Sequence, residues 1–150
     1  MKPVIFLDID GVIYSYLTYK FIPSAIEALN VLIERTGFDV VVSSSRRNGS
    51  SVESLQKLLT DNGVRCNVIG KTPVLKGRGE EIKKWIKDHG GFLVDGQISP
   101  STFIIIDDEW TDILPHIKWH WCSCIHTNMW RGLDMFDVAF VLGDREIAES

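Results

Sequence analysis

The sequence predicts an α/β domain built on a parallel sheet of about five strands. Three observations predict it. Short, wholly apolar runs such as Val4-Ile5-Phe6-Leu7 and Ile104-Ile105-Ile106 alternate with segments whose apolar residues recur at helical spacing. Several of these runs stop at carboxylates or hydroxyls, which belong at the end of a buried strand and not within it. A chain of 150 residues with 45% hydrophobic composition is long enough for one full core.

Each element follows in order. Residues 4–7 read as the first strand, and its tip is Asp8-Ile9-Asp10-Gly11. Residues 23–34 read as a helix, with Ile26, Leu29, Leu32 and Ile33 on one face and Gly37 as its stop. Residues 39–42 form a second buried strand that ends in Ser43-Ser44-Ser45. Residues 51–62 form a helix, capped by Ser51, lined by Leu55, Leu58 and Leu59, and stopped by Gly63. A third strand spans residues 66–69, and a helix spans 79–89 before Gly90-Gly91. The fourth strand, 102–106, ends in Asp107-Asp108. A fifth covers 121–125, and residues 133–142 form a closing helix. No repeat or linker interrupts residues 1–150, which read as one Rossmann-like domain with helices on both faces.

In a parallel sheet all carboxyl ends of strands share one edge. The loops 8–11, 43–46 and 107–112 are therefore expected to converge. Four acids brought together repel one another and raise each other's pKa unless a divalent cation lies between them. Oxygen-only ligands favour Mg²⁺, which readily shares its coordination shell with phosphate. Serine hydroxyls, turn N–H groups and an arginine or lysine suit the remaining phosphate oxygens.

Taken together, the apolar strand with Asp8-Ile9-Asp10-Gly11, Ser43-Ser44-Ser45-Arg46, Gly77-Arg78-Gly79-Glu80-Glu81-Ile82 and Ile106-Asp107-Asp108-Glu109 resembles the haloacid dehalogenase-like (HAD) phosphohydrolases. The resemblance is to a small, capless branch associated with nucleic-acid-repair proteins, and it covers nearly the whole chain. It implies a nucleophile at Asp8 that forms an aspartyl-phosphate, and a general acid and base at Asp10. It implies Mg²⁺ held by Asp8, Asp10 through its backbone carbonyl, and Asp108, with Asp107 supporting that shell and Asp112 as an additional acid. Ser43, with Ser44 and Arg46 beside it, would bind the phosphoryl group. A basic residue would hold Asp8 ionised; Arg78 stands first for this role, then Lys76, with Lys71 a third choice. Many relatives use lysine there.

Only residues 13–22 separate the first motif from the next helix, and nothing between residues 45 and 107 is long enough for a lid domain. An open crevice is expected, suited to a nucleotide, a nucleic-acid end or another large phosphorylated substrate. Two alternatives stand beside this reading. One is a catalytically idle domain that binds a phosphorylated partner. The other is a small-metabolite phosphatase whose lid comes from a second subunit.

The net charge of −4 argues against a surface that coats nucleic acid or membrane generally. Seven of the sixteen basic residues nevertheless fall between Arg65 and Lys87. Three cysteines, no secretory apolar segment and no run of membrane-spanning length predict a cytoplasmic protein with free thiols. Arg46-Arg47 reads equally as a phosphate contact or a solvated loop. His116, His120, Cys122, Cys124 and His126 invite a zinc site, but a strand with Cys122, Cys124 and His126 on one face explains them more simply. Trp85 reads as packing. Trp110, in the loop after Asp108, is a candidate stacking platform with packing as the plainer reading. Tyr14, Tyr16 and Tyr19 are placed at the mouth.

Overall fold

The computed structural model describes residues 1–99, 103–118 and 124–149. Its centre is a five-stranded sheet in the order β3-β2-β1-β6-β7, where β1 is Val4–Leu7, β2 Asp39–Val42, β3 Val68–Lys71, β6 Phe103–Asp107 and β7 Cys124–His126. Every pairing in this sheet is parallel. The helices are α1 (Pro23–Thr36), α2 (Val52–Asp61), α3 (Arg78–Asp88) and α4 (Met135–Glu149).

Strand periodicity divides the core in two. Ile5 and Leu7 face one side with Val40, Val42, Ile104 and Ile106, and there they meet α1, α2 and α4 through Leu29, Leu55, Leu59 and Val138. Val4 and Phe6 face the other side with Val41 and Ile105, against Ile82, Trp85 and Ile86 of α3. Because both faces are covered, β1 and most of β2 and β6 are unbroken apolar runs instead of alternating.

The carboxyl edge of the sheet is level. Leu7 lies opposite Val42 on one side and Ile106 on the other. The ladder then runs one rung past the strand ends: Thr72 N–H donates to the Val42 carbonyl at 3.0 Å, Ser43 to Leu7 at 2.9 Å, Asp8 to Ile106 at 3.0 Å and Thr127 to Asp107 at 3.0 Å. These bonds set Asp8 between Ser43 and Asp107.

Several expectations shift. The third strand begins at Val68 and not at residue 66; Gly70 within it lies so close to the Trp85 ring that a Cβ there would sit 2.1 Å from it. A hairpin, β4 (Leu93–Val94) with β5 (Gln97–Ile98), was not anticipated; Asp95 and Gly96 form its turn, both at positive φ. The expected fifth strand is seen from Cys124 to His126. Residues 121–123, Thr102 and His120 lie outside the described residues. Among the described residues no cap domain interrupts the sheet, and no helix is long and apolar enough to cross a membrane.

Candidate active site

Asp8 sits at the tip of the central strand and is 6% exposed. Its Oδ1 accepts the Ile9 N–H at 2.9 Å. Asp8, Asp107 and Asp108 each offer an oxygen within 4.8 Å of the others, and among the described residues this is the one His, Cys, Asp or Glu group arranged to hold a metal ion. The donors are all carboxylate oxygens, which fits a hard divalent cation. His116 and His126 lie elsewhere, on Lys83 and on the Asp108 carbonyl respectively, so the zinc cluster does not assemble among the described residues; His120 and Cys122 are not among them.

Arg78, on the first turn of α3, reaches the cluster. Its Nη1 is 2.7 Å from Asp107 Oδ2 and 3.7 Å from Asp8 Oδ1. Lys76 is exposed and makes no ion pair with these acids. Lys71 donates instead to the carbonyls of Ser50 and Arg47, where it ties down the loop after β2. Neither lysine therefore completes the cluster: one points into solvent and the other caps backbone. Asp112 is likewise occupied, since its Oδ2 accepts the Arg78 N–H at 2.7 Å and caps the start of α3.

Without a cation, burial and mutual repulsion favour the protonated forms of Asp8 and Asp107. Burial, then the charge of Asp107, pushes Asp8 up to about 9 against the pull of Arg78. Burial raises Asp107 to about 6, and Arg78 opposes it. A bound cation reverses this balance by making the ionised forms favourable.

Ser43 is fully buried, and its Oγ has no hydrogen-bond partner. An orphaned buried hydroxyl beside an acid cluster is the kind of group a bound oxyanion satisfies. The Ser44 hydroxyl does a local job: it accepts the Arg46 N–H at 3.2 Å and caps the short helical turn Ser45–Arg47.

Asp10 is not one of the three clustered acids. Arg46 Nε lies 3.2 and 3.1 Å from its two oxygens, and Nη2 is 3.1 Å from Oδ1. As a metal ligand Asp10 thus has only its backbone carbonyl to offer. Burial works against the Arg46 charge, and the hydrogen bond and charge of Asp10 outweigh it. The guanidinium lies over the Tyr14 ring at 4.3 Å and near Phe21 at 5.8 Å, a cation–π seat that sequence reasoning did not foresee. Arg47 is neither a phosphate contact nor a solvated loop residue: it is 3% exposed.

The tyrosines differ in place. Tyr16 is 40% exposed. Partial burial, followed by the charges of Asp108, Asp8, Asp10 and Asp107, pushes its phenol up to about 12, so it overlooks the cluster. Tyr19 stands at the exposed tip of the same loop. Trp110 is 4% exposed and donates its indole N–H to the Asp107 carbonyl at 2.9 Å, within the core on the α3 face. Its ring is packed in the core and not open to solvent. Trp110→Ala is expected to cost about 3–5 kcal/mol of stability and to leave the KM of the folded protein unchanged. Urea denaturation beside steady-state kinetics checks this, and a raised KM at intact stability would restore the stacking role.

Thr127 is a further residue that sequence reasoning missed. Its Oγ1 donates to the Gly11 carbonyl at 2.8 Å and joins the β7 loop to the Asp8–Gly11 loop. No local pattern announces a contact across 116 positions.

A parallel sheet with three carboxylates, a bare serine hydroxyl and an arginine on its carboxyl edge defines an α/β domain equipped to handle phosphoryl groups. The family described as the "HAD domain in Swiss Army Knife RNA repair proteins" matches residues 4–138. The chain belongs to this HAD family. Curated proteins give no match. Among solved structures, D,D-heptose 1,7-bisphosphate phosphatase from Burkholderia thailandensis is similar at a TM-score of 0.43 and 20% identity, over 77% of this chain and 72% of that one.

Proposed function

We propose that residues 1–150 form one cytoplasmic domain that hydrolyses phosphomonoesters with Mg²⁺, through an aspartyl-phosphate on Asp8, and that its substrate is a nucleotide or a nucleic-acid end. The observation that carries the chemistry is Asp8 set among Asp107, Asp108 and Arg78 with the unpartnered Ser43 hydroxyl one strand away. Asp8, Asp108 and the Asp10 carbonyl would hold Mg²⁺, with Asp107 in support. When bound, the ion supplies the positive charge that keeps these carboxylates ionised and offsets charge on the phosphoryl oxygens.

The steps follow from the residues. An Asp8 oxygen attacks phosphorus as the ester P–O bond breaks, and Asp10, carrying a proton taken up when substrate draws it from Arg46, gives that proton to the departing oxygen. Asp10 then takes a proton from water, whose oxygen attacks phosphorus and releases Asp8. Ser43 and the turn N–H groups hold the phosphoryl oxygens meanwhile, and Arg78 offsets their charge. Arg46 keeps the Asp10 carboxylate in one orientation until substrate arrives.

Three features support a large substrate. The crevice lacks a cap among the described residues. Tyr16, which overlooks the acids, and Tyr19 of the same loop are exposed aromatic residues whose rings suit nucleobases. The family is described through RNA repair proteins. The deciding experiment compares nucleotides, 3′- and 5′-phosphorylated oligonucleotides and phosphosugars, each with and without Mg²⁺. The expected result is Mg²⁺-dependent release of phosphate, fastest from an oligonucleotide end or a nucleotide. Preference for phosphosugars would overturn the substrate class, and binding without turnover would favour an idle domain.

A further inference from the structure

Arg47 and Glu81 form a buried pair that the chemistry above does not use. All five N–H donors of Arg47 have acceptors. Nε donates to the Thr72 carbonyl at 2.9 Å, Nη1 to the carbonyls of Ser44 at 2.8 Å and Ser43 at 3.5 Å, and Nη2 to the Pro73 carbonyl at 3.2 Å and to Glu81 Oε2. The guanidinium thus clamps the serine loop after β2 to the turn after β3. Glu81 Oε2 also accepts the Leu75 N–H at 2.9 Å. With Oε2 so committed, Oε1 faces Arg78 Nε at 3.5 Å, one helical turn back on α3. Arg78 uses its other end, Nη1, for Asp107 and Asp8.

We propose that Glu81, fixed by Arg47, is a positioning residue that aims Arg78 at Asp8 and Asp107, a task that needs arginine at position 78. A lysine has one nitrogen and cannot take Glu81 with one end and the acid cluster with the other; a planar guanidinium can. The pair also ties the serine that faces the phosphoryl group to the cation that neutralises it, so both keep one spacing. Residues held this way need rotamers locked by their neighbours, and the nine-tenths burial of Arg47 and Glu81 supplies that lock.

The inference rests on the phosphohydrolase reading, and its test separates the two. Wild type, Glu81→Gln, Arg78→Lys and the double variant form one kinetic cycle on a phosphomonoester with Mg²⁺. Glu81→Gln is expected to lower kcat/KM about 10- to 100-fold, the range for residues that orient the ligands of a metal site. In the Arg78→Lys background it should lower it less than about threefold, because the aimed group is gone. Equal loss in both backgrounds would mean a merely structural pair and overturn the proposal. A second readout needs no turnover: the Arg78 Nε–H resonance of the metal-free protein. It should exchange slowly in wild type and broaden or vanish in Glu81→Gln while the Arg47 Nε–H persists. An unchanged Arg78 signal overturns the proposal even if wild type proves inert, an outcome that would itself sink only the phosphohydrolase reading. Should Glu81→Gln fail to fold, Glu81→Asp keeps the charge Arg47 needs and shortens the reach by one methylene, and the same two readouts apply with smaller changes.

Discussion

Asp8→Asn is expected to lower turnover by about 10⁴-fold or more, as the loss of a covalent nucleophile does, while making the metal-free protein more stable at alkaline pH. The two effects have one origin. In the fold the Asp8 carboxyl is raised to about 9 from its ordinary value of 3.8. The folded chain therefore holds a proton that the unfolded chain gives up between those values. The contribution of Asp8 to metal-free stability is therefore full below about pH 4 and is lost as pH rises toward 9. Asparagine has nothing to ionise, so this part of the slope disappears; a shorter slope up to about pH 6 remains from Asp107. Thermal melts in EDTA at pH 5 and pH 8 read the change directly. At pH 8 the variant should melt several degrees above wild type, since each kcal/mol is worth roughly 2–4 °C at this size. Added Mg²⁺ should close the gap by stabilising wild type more. Retained turnover would remove Asp8 as nucleophile, and parallel pH slopes would remove the electrostatic account.

Gly11→Ala should damage the site without removing any functional group. Gly11 holds φ +81°, and a Cβ there would sit 2.2 Å from Asp108 Oδ2 and 2.6 Å from its Cγ. The strain of a left-handed alanine costs about 1–2 kcal/mol. The displaced Asp108 carboxylate matters more, because a misplacement of about 1 Å in such a site costs on the order of 10²-fold in rate. The expected outcome is a loss of that size in kcat/KM with a raised Mg²⁺ requirement, read by titrating the metal in the activity assay. Gly96→Ala is the control. Its φ is +74°, yet nothing lies within 4 Å of the added methyl, so stability falls alone. Equal kinetics in the two variants would show that the clash with Asp108 has no consequence.

What the chain reveals of itself depends on how local the cause is. The strands at 4–7 and 39–42 were legible because burial on both faces leaves only apolar residues, and the acids and serines after them mark the strand ends for the same reason. The Asp95-Gly96 turn was also written locally, but two-residue strands give no period to read. The remaining differences have tertiary causes. Arg47 looked like a surface residue because charge normally seeks water; backbone carbonyls 25 and 26 positions away satisfy it instead. Asp112 and Lys71 carry suitable chemistry, and backbone groups near them in space claim it. Arg46 was noticed, but its seat on Tyr14 and its grip on Asp10 depend on two loops meeting, which no single segment encodes.

The order of the sheet bears on how the chain is made. The central strand β1 is paired on one side by β2 and on the other by β6, which starts at Phe103. On the ribosome, β1 therefore waits for about two thirds of the chain with one row of backbone N–H and C=O groups unsatisfied, on a strand whose side chains are apolar in both directions. Such an edge is a template for pairing with another chain. Fragments ending before residue 103 should aggregate, and pairings so distant in sequence make for slow folding. The strand that closes the edge is also the one that carries Asp107 and leads into Asp108. Protection from aggregation and the acid cluster thus arrive in the same step of synthesis, and no shorter nascent chain has a complete site.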